Sequence, residues 1–243
     1  NYFANFLVNP ISFSTSERGL LFLERSGSAT LLADNFSLRS ASSKPFVSET
    51  LETKWYDHKH SVINRDHGLF SLLKQLDVKF KAGRGLVEAE WLPTMIVDEL
   101  GLDSETRSLE LGSIIRRMRR QKEPDEIALL ESCMLACEAG HQRAFSVVKP
   151  GVTELDVYRE VQSAAIAAAG RPVIVYGDFR SVNAATPKRG GLPTQEPLRE
   201  GDLLILDFSV VLDGYRSDFT NTLAAGTPTE RQEQIFDVCE GAL

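Results

Sequence analysis

The stretch "DLLILDFSVVLDGYRSDFTNTLA", residues 202–224, constrains the fold more than any other part of the chain. Asp213-Gly214 lies between two apolar, β-prone arms, which is the strongest short signal for a two-residue hairpin turn. With that turn, Leu212 faces Tyr215, Val210 faces Ser217, Ser209 faces Asp218 and Asp207 faces Thr220. Strand alternation then sorts the ribbon into two faces. One carries Leu206, Phe208, Val210, Leu212, Tyr215 and Phe219, with Ser217 as its single small polar member. The other carries Asp207, Ser209, Val211, Arg216, Asp218 and Thr220. A slip of one residue would mix the faces, so the pattern fixes the register.

In this register Asp207 and Asp218 are diagonal neighbours on the polar face, roughly 7 to 8 Å apart at the backbone and closer at the side chains. Two carboxylates that close repel, and each holds its proton more tightly unless a cation lies between them. Their oxygens suit hard or borderline divalent ions such as Mn²⁺. Solvation of both groups, or neutralisation of one by Arg216, is the competing explanation. The pair alone does not decide between them.

The rest of the chain supplies the setting. Its 243 residues are 42% hydrophobic and 25% charged, enough for two modest domains. A net charge of -7 argues against nucleic-acid or anionic-membrane partners. No apolar run approaches the ~18 to 20 residues of a membrane helix, and no secretory leader opens the chain. The three cysteines read as small buried thiols in a reducing, cytoplasmic setting rather than as bridges or ligands.

"GLLFLERSGSATLLADN" reads as a hairpin around Ser26-Gly27. Helices are expected over 67–77 and from Pro93 to Gly101, with "VKFKAG" as a strand between them. This alternation indicates a small α/β domain over residues 1–112. A long helix should start at Pro124 and end before Pro150-Gly151, with Ile127, Leu130, Met134, Cys137, Phe145 and Val148 as its core stripe. His141 falls on that stripe and reads as a satisfied core histidine. Arginines 116, 117, 119 and 120 read as a solvated face or linker. Thr153 caps the next helix, and Thr229 caps a last one. The segment from Val173 to Pro197 reads as a short apolar strand followed by a long loop. His58 and His60 have the spacing of one strand face, a weak metal signal without a third ligand.

The hairpin and its flanks resemble the pita-bread metallopeptidases, in the branch of Xaa-Pro aminopeptidases and Xaa-Pro dipeptidases. The matching residues are Gly201-Asp202, Asp207, Gly214-Tyr215, Ser217-Asp218, Thr220, Thr222 and Gly226-Thr227-Pro228-Thr229. "RRMRRQKEPDEIALLE" and "VKPGVTELDV" resemble the opening of that family's catalytic domain, and residues 1–112 its creatinase-type N-terminal domain. The resemblance implies an α/β N-terminal domain followed, over residues 113–243, by the first half of an α+β pita-bread catalytic domain.

It also implies hydrolysis of the bond before proline with two divalent ions, Mn²⁺ first and Co²⁺ or Zn²⁺ as alternatives. Asp207 would bind one ion and Asp218 would bridge both. A peptide with proline at its second position would be the substrate, and the protein would be a homodimer. The family completes its site with a His and two Glu further along, whereas this sequence ends 25 residues after Asp218. The first residue is Asn1, and a piece of a longer protein is expected. Ser209 and Asn221 replace a usual Gly and Arg. A loop histidine of the family falls, by two ways of counting, on Lys188 or Gly190. That departure keeps two alternatives open: a non-catalytic domain that binds peptides or proteins, and a creatinase-like hydrolase of another C–N bond.

Overall fold

The segment Ala29–Asp34, with Leu31, Leu32 and Ala33 at its centre, becomes the central strand, β2, of a small sheet in the computed structural model. The structure describes residues 2–9, 11, 19–60, 64–76, 85–105, 111–185, 187 and 190–242. β2 pairs antiparallel with β1 (Leu20–Leu23), making the expected hairpin, and parallel with β3 (Glu49–Thr53). Leu32 packs with Leu69, Leu72, Leu73, Ile96 and Val97, whereas Leu31 and Ala33 meet Ala4 and Phe6 in a separate cluster. Burial on both faces explains the consecutive apolar residues Leu31, Leu32 and Ala33.

Helix α1 (Asn35–Ser40) starts on buried Asp34, whose Oδ1 accepts from the Phe36 and Ser37 N–H groups. Helices α2 (Arg65–Leu76) and α3 (Thr94–Leu100) fall where the leucine spacing and Pro93 put them. Gly101, at φ 65°, ends α3 in a left-handed conformation that favours glycine. "VKFKAG" lies outside the described residues. Helix α4 (Leu111–Met118) carries Arg116 and Arg117, and Arg119 and Arg120 follow it in a turn. Arg116, Arg117 and Arg120 are exposed, and Arg119 lies 4.9 Å over the Tyr2 ring.

The chain divides into two compact units, Asn1–Lys122 and Glu123–Leu243. The sequence pattern alone puts the boundary after residue 112. In the second unit, helices α5 (Pro124–Val147) and α6 (Glu154–Ala169) cover one face of a sheet. Its strands are β4 (Ile174–Val182), β5 (Leu203–Leu212), β6 (Tyr215–Arg216) and β7 (Phe219–Ala224), followed by helix α7 (Glu230–Glu240). β5 pairs with β4 on one side and with β6 and β7 on the other, all antiparallel. Capping boxes at Glu123, Thr153 and Thr229 open α5, α6 and α7.

One expectation about α5 is corrected. Ile127, Met134 and Phe145 are exposed, while Cys133, Ala136, Cys137, Gly140, His141 and Ala144 turn inward. A methyl at Gly140 would come within 3.0 Å of Val161 and 3.1 Å of Phe208. Helix and sheet therefore approach too closely for long side chains, and close packing selects small ones. Cys133 and Cys137 are buried free thiols, raised by desolvation, whereas Cys239 is exposed.

Candidate metal centre

The hairpin register is the expected one. Leu212 pairs with Tyr215, Val211 with Arg216, Phe208 with Phe219 and Asp207 with Thr220. Asp213 and Gly214 both have positive φ, 48° and 81°, as a type I′ turn requires. Even positions 204 to 212 of β5 are buried in the core. Odd position Asp207 points the other way and is exposed.

Between β6 and β7 the ladder is interrupted at Ser217 and Asp218. Ser217 is buried, and its Oγ accepts the Val210 N–H at 2.8 Å while its own N–H donates to the Val210 carbonyl at 3.0 Å. The one polar residue of the core face is thus satisfied by the opposite strand. That anchor leaves the next side chain, Asp218, on the polar face with 77% of it exposed. Tyr215 ties the turn to α5 through its hydroxyl, which donates to Glu126 Oε1 at 2.7 Å.

Asp207 and Asp218 are therefore brought to one exposed face. Thr220 Oγ1 donates to Asp207 Oδ1 at 2.8 Å, fixing that carboxylate and leaving Oδ2 available. Beside Asp218, among the described residues, stands Arg216, with Nη2 3.9 Å from Oδ2. Arg216 Nη1 donates instead to Tyr176 Oη at 2.9 Å. The neutralising arginine considered from sequence is in place but not in full contact. Two hard oxygen donors with free lone pairs fit a divalent cation. Among the described residues no group of three or more His, Cys, Asp or Glu could hold a metal ion.

A third carboxylate shares the face and escapes the sequence reading. Asp178 lies directly opposite Asp207 across β4 and β5. Like charges in that position destabilise a sheet. Gly191 N–H donates to Asp178 Oδ1 at 2.6 Å, which offsets part of the repulsion and docks the 190–191 loop on the strand. β4 is nine residues long rather than a short apolar strand. Its signal was the period-two burial of Val173, Val175, Phe179 and Ser181, broken at Gly177. Gly177 has φ 147°, and a Cβ there would collide with the Asp207 carbonyl oxygen and come within 2.6 Å of Phe208 Cα. Gly177→Ala should therefore push β4 off β5 beside Asp207. We expect a loss of about 3 kcal/mol in denaturant unfolding, with both backbone strain and overpacking contributing.

Behind the face, Glu154 at the start of α6 is fully buried. Its Oε1 accepts from the Ser181 N–H and Oγ at 2.8 and 2.9 Å, and its Oε2 from the Thr194 N–H and Oγ1 at 3.1 and 2.8 Å. Arg180 Nε lies 3.1 Å from Oε2 as an ionic contact. Burial pushes this carboxyl up, but the four donors outweigh it and hold it below its ordinary value. Asp202, of the Gly-Asp lead-in, is also buried and accepts from Asn183 Nδ2 and the Arg199 N–H, both at 2.9 Å.

The histidines do not join the carboxylates. His58 and His60 sit in a bend after β3 rather than on a strand face, and His58 has φ 68°. His60 Nδ1 lies 3.3 Å from Asp57, whose carboxyl is held well below the usual range, chiefly by Lys54. His141 is buried as expected, stacked on Phe208 at 4.4 Å and edge-on to Phe219. Neither ring nitrogen has an aligned partner, so it is not the satisfied histidine expected. Burial lowers its pKa, while the nearby Phe219 backbone opposes that shift. Of the two loop positions where the family histidine could fall, Lys188 lies outside the described residues. Gly190 packs against the Asp178 carboxylate.

Residues 128–243 match the profile of Metallopeptidase family M24. A Xaa-Pro dipeptidase of Lactobacillus helveticus is 29% identical over 135 residues, 53% of this chain and 35% of that protein. An uncharacterized peptidase of Staphylococcus saprophyticus is 25% identical over 248 residues, 98% of this chain and 62% of that one. Among solved structures, the prolidase from Pyrococcus horikoshii OT3 superposes with a TM-score of 0.63 at 18% identity, over 98% of this chain and 61% of its own. The prolidase from Thermococcus sibiricus gives 0.65 at 20% identity, over 95% of this chain and 60% of its own. The likeness shows the fold expected from the sequence, an α/β N-terminal part followed by pita-bread elements. The chain spans less than two thirds of each of these proteins.

Proposed function

We propose, from the match of residues 128–243 to the profile of Metallopeptidase family M24, that the complete protein is a metal-dependent peptidase of the Xaa-Pro class. It hydrolyses the bond before proline in short peptides. Asp207 binds one divalent ion and Asp218 bridges two, with Mn²⁺ the first candidate. The observation that supports this reading is the shared exposed face of Asp207 and Asp218, which offers two hard oxygen donors to a cation.

When bound, a pair of divalent ions supplies Lewis acidity that acidifies water and polarises a scissile carbonyl. The chain's own residues prepare for that chemistry. Thr220 fixes the Asp207 carboxylate through Oδ1. Ser217 anchors the ladder so that Asp218 projects from it. Asp178, opposite Asp207, holds the 190–191 loop. Proline peptides are suggested by the relatives named Xaa-Pro dipeptidase.

A creatinase-like hydrolase of another C–N bond is the second reading. It is favoured by Gly190, which offers no imidazole and lies on Asp178. Assay of the Mn²⁺-loaded complete protein separates the two. Turnover of Xaa-Pro dipeptides at least about 100-fold above their Xaa-Ala counterparts is the expected result, because a pocket built for one group discriminates on that scale. Cleavage of small non-peptide amides without any proline preference would instead establish the second reading.

A further inference from the structure

We propose that Arg216, parked on Tyr176, is an internal counter-ion that competes with a divalent cation for Asp218 and so sets the metal affinity of the site. The inference rests on the metal reading above and deepens it. Strand β6 is two residues long, and it places Arg216 two positions before Asp218 on the same face of the ribbon. Tyr176 reaches the same patch from β4, where it pairs with Ser209. Arg216 Nη1 donates to the phenol at 2.9 Å, while Nη2 stops 3.9 Å short of Asp218.

A full charge-assisted bond would bring nitrogen and oxygen to roughly 2.7 to 2.9 Å. The phenol therefore holds the guanidinium back. It is close enough to neutralise part of the charge on Asp218, yet not close enough to occupy its lone pairs. A dication arriving at that carboxylate meets a fixed positive charge beside it, and must also replace the neutralisation the arginine already supplies. Both effects weaken binding. Both are also open to screening, because the Arg216 and Asp218 side chains are 53% and 77% exposed. The opposing charges on this face are the carboxylates of Asp178 and Asp207, neither of which contacts Arg216.

The test is calorimetric titration of Mn²⁺ into the complete protein. Arg216→Gln should bind the ion roughly five- to tenfold more tightly at low ionic strength, with the gain shrinking toward unity near ~1 M salt. Tyr176→Phe should weaken binding roughly two- to threefold, because the released guanidinium closes on Asp218. The double variant Tyr176→Phe/Arg216→Gln should bind like Arg216→Gln alone, since the phenol acts only through the arginine. Unchanged affinity in Arg216→Gln, or tighter binding in Tyr176→Phe, overturns the proposal. Asp218→Asn separates this failure from a deeper one. If it too leaves Mn²⁺ binding unchanged, the metal reading itself falls; if it abolishes binding while Arg216→Gln has no effect, only the counter-ion role is lost.

Discussion

Asp218→Asn in the complete protein should lower kcat/KM on Xaa-Pro substrates by roughly 10³-fold or more, about 4 kcal/mol of transition-state stabilisation. Its unfolding free energy should change by no more than about 0.5 kcal/mol. The separation follows from the way this residue is held. Its side chain is 77% exposed, and the Arg216 guanidinium lies 3.9 Å away. Replacing the carboxylate with an amide removes a charge that repels Asp207 and breaks no aligned hydrogen bond. A purely structural acidic residue would show the opposite profile. Paired kinetics and urea denaturation check both halves, and an active variant or one destabilised by several kcal/mol counts against the proposed role. Asp207 gives a less clean experiment, because its Oδ1 accepts from Thr220 and the residue faces Asp178 across the sheet.

The parts of this site that could be read from the sequence are those written in one short stretch of chain. Asp213-Gly214 and the alternation around it were enough to give the observed pairing of Asp207 with Thr220 and the common face of the two aspartates. Asp178 escaped because its partner strand is remote in sequence and Gly177 breaks the apolar alternation at the decisive point. That glycine is there because β5 comes too close for any side chain, and nothing local in the sequence states how near another strand will pass. The same limit explains α5. Large apolar residues at helical spacing look like a core stripe, but Gly140 lets Phe208 and Val161 press against the helix, so the stripe of small residues is the one buried. Distances between elements decide both cases, and periodicity within an element carries no information about them.

Glu154 connects this remote packing to the site, and its removal should have the largest effect on stability. Glu154→Gln should cost about 3 to 5 kcal/mol at neutral pH, the range for breaking one side of a buried charged pair. The carboxylate takes four donors from Ser181 and Thr194 and faces Arg180. A glutamine offers one oxygen and turns an NH₂ toward groups that are themselves donors, leaving Arg180 with only the more distant Glu196 carboxylate at 3.9 Å. The sign of the pH dependence follows from the depressed carboxyl. Its folded pKa lies below its ordinary value of 4.5, so the unfolded chain takes up the proton first as pH falls. The stabilisation is complete above that value and is lost progressively as pH drops through the folded pKa. Wild type and Glu154→Gln should therefore converge in urea midpoint between pH 6 and about pH 3, and curves that stay parallel over that range would remove the ionic account. Because Thr194 and Ser181 frame the loop that Asp178 also holds, the variant should lose turnover as well as stability. The loss would come through misplacement of β4 and its loop, with Mn²⁺ affinity falling far less than in Asp218→Asn.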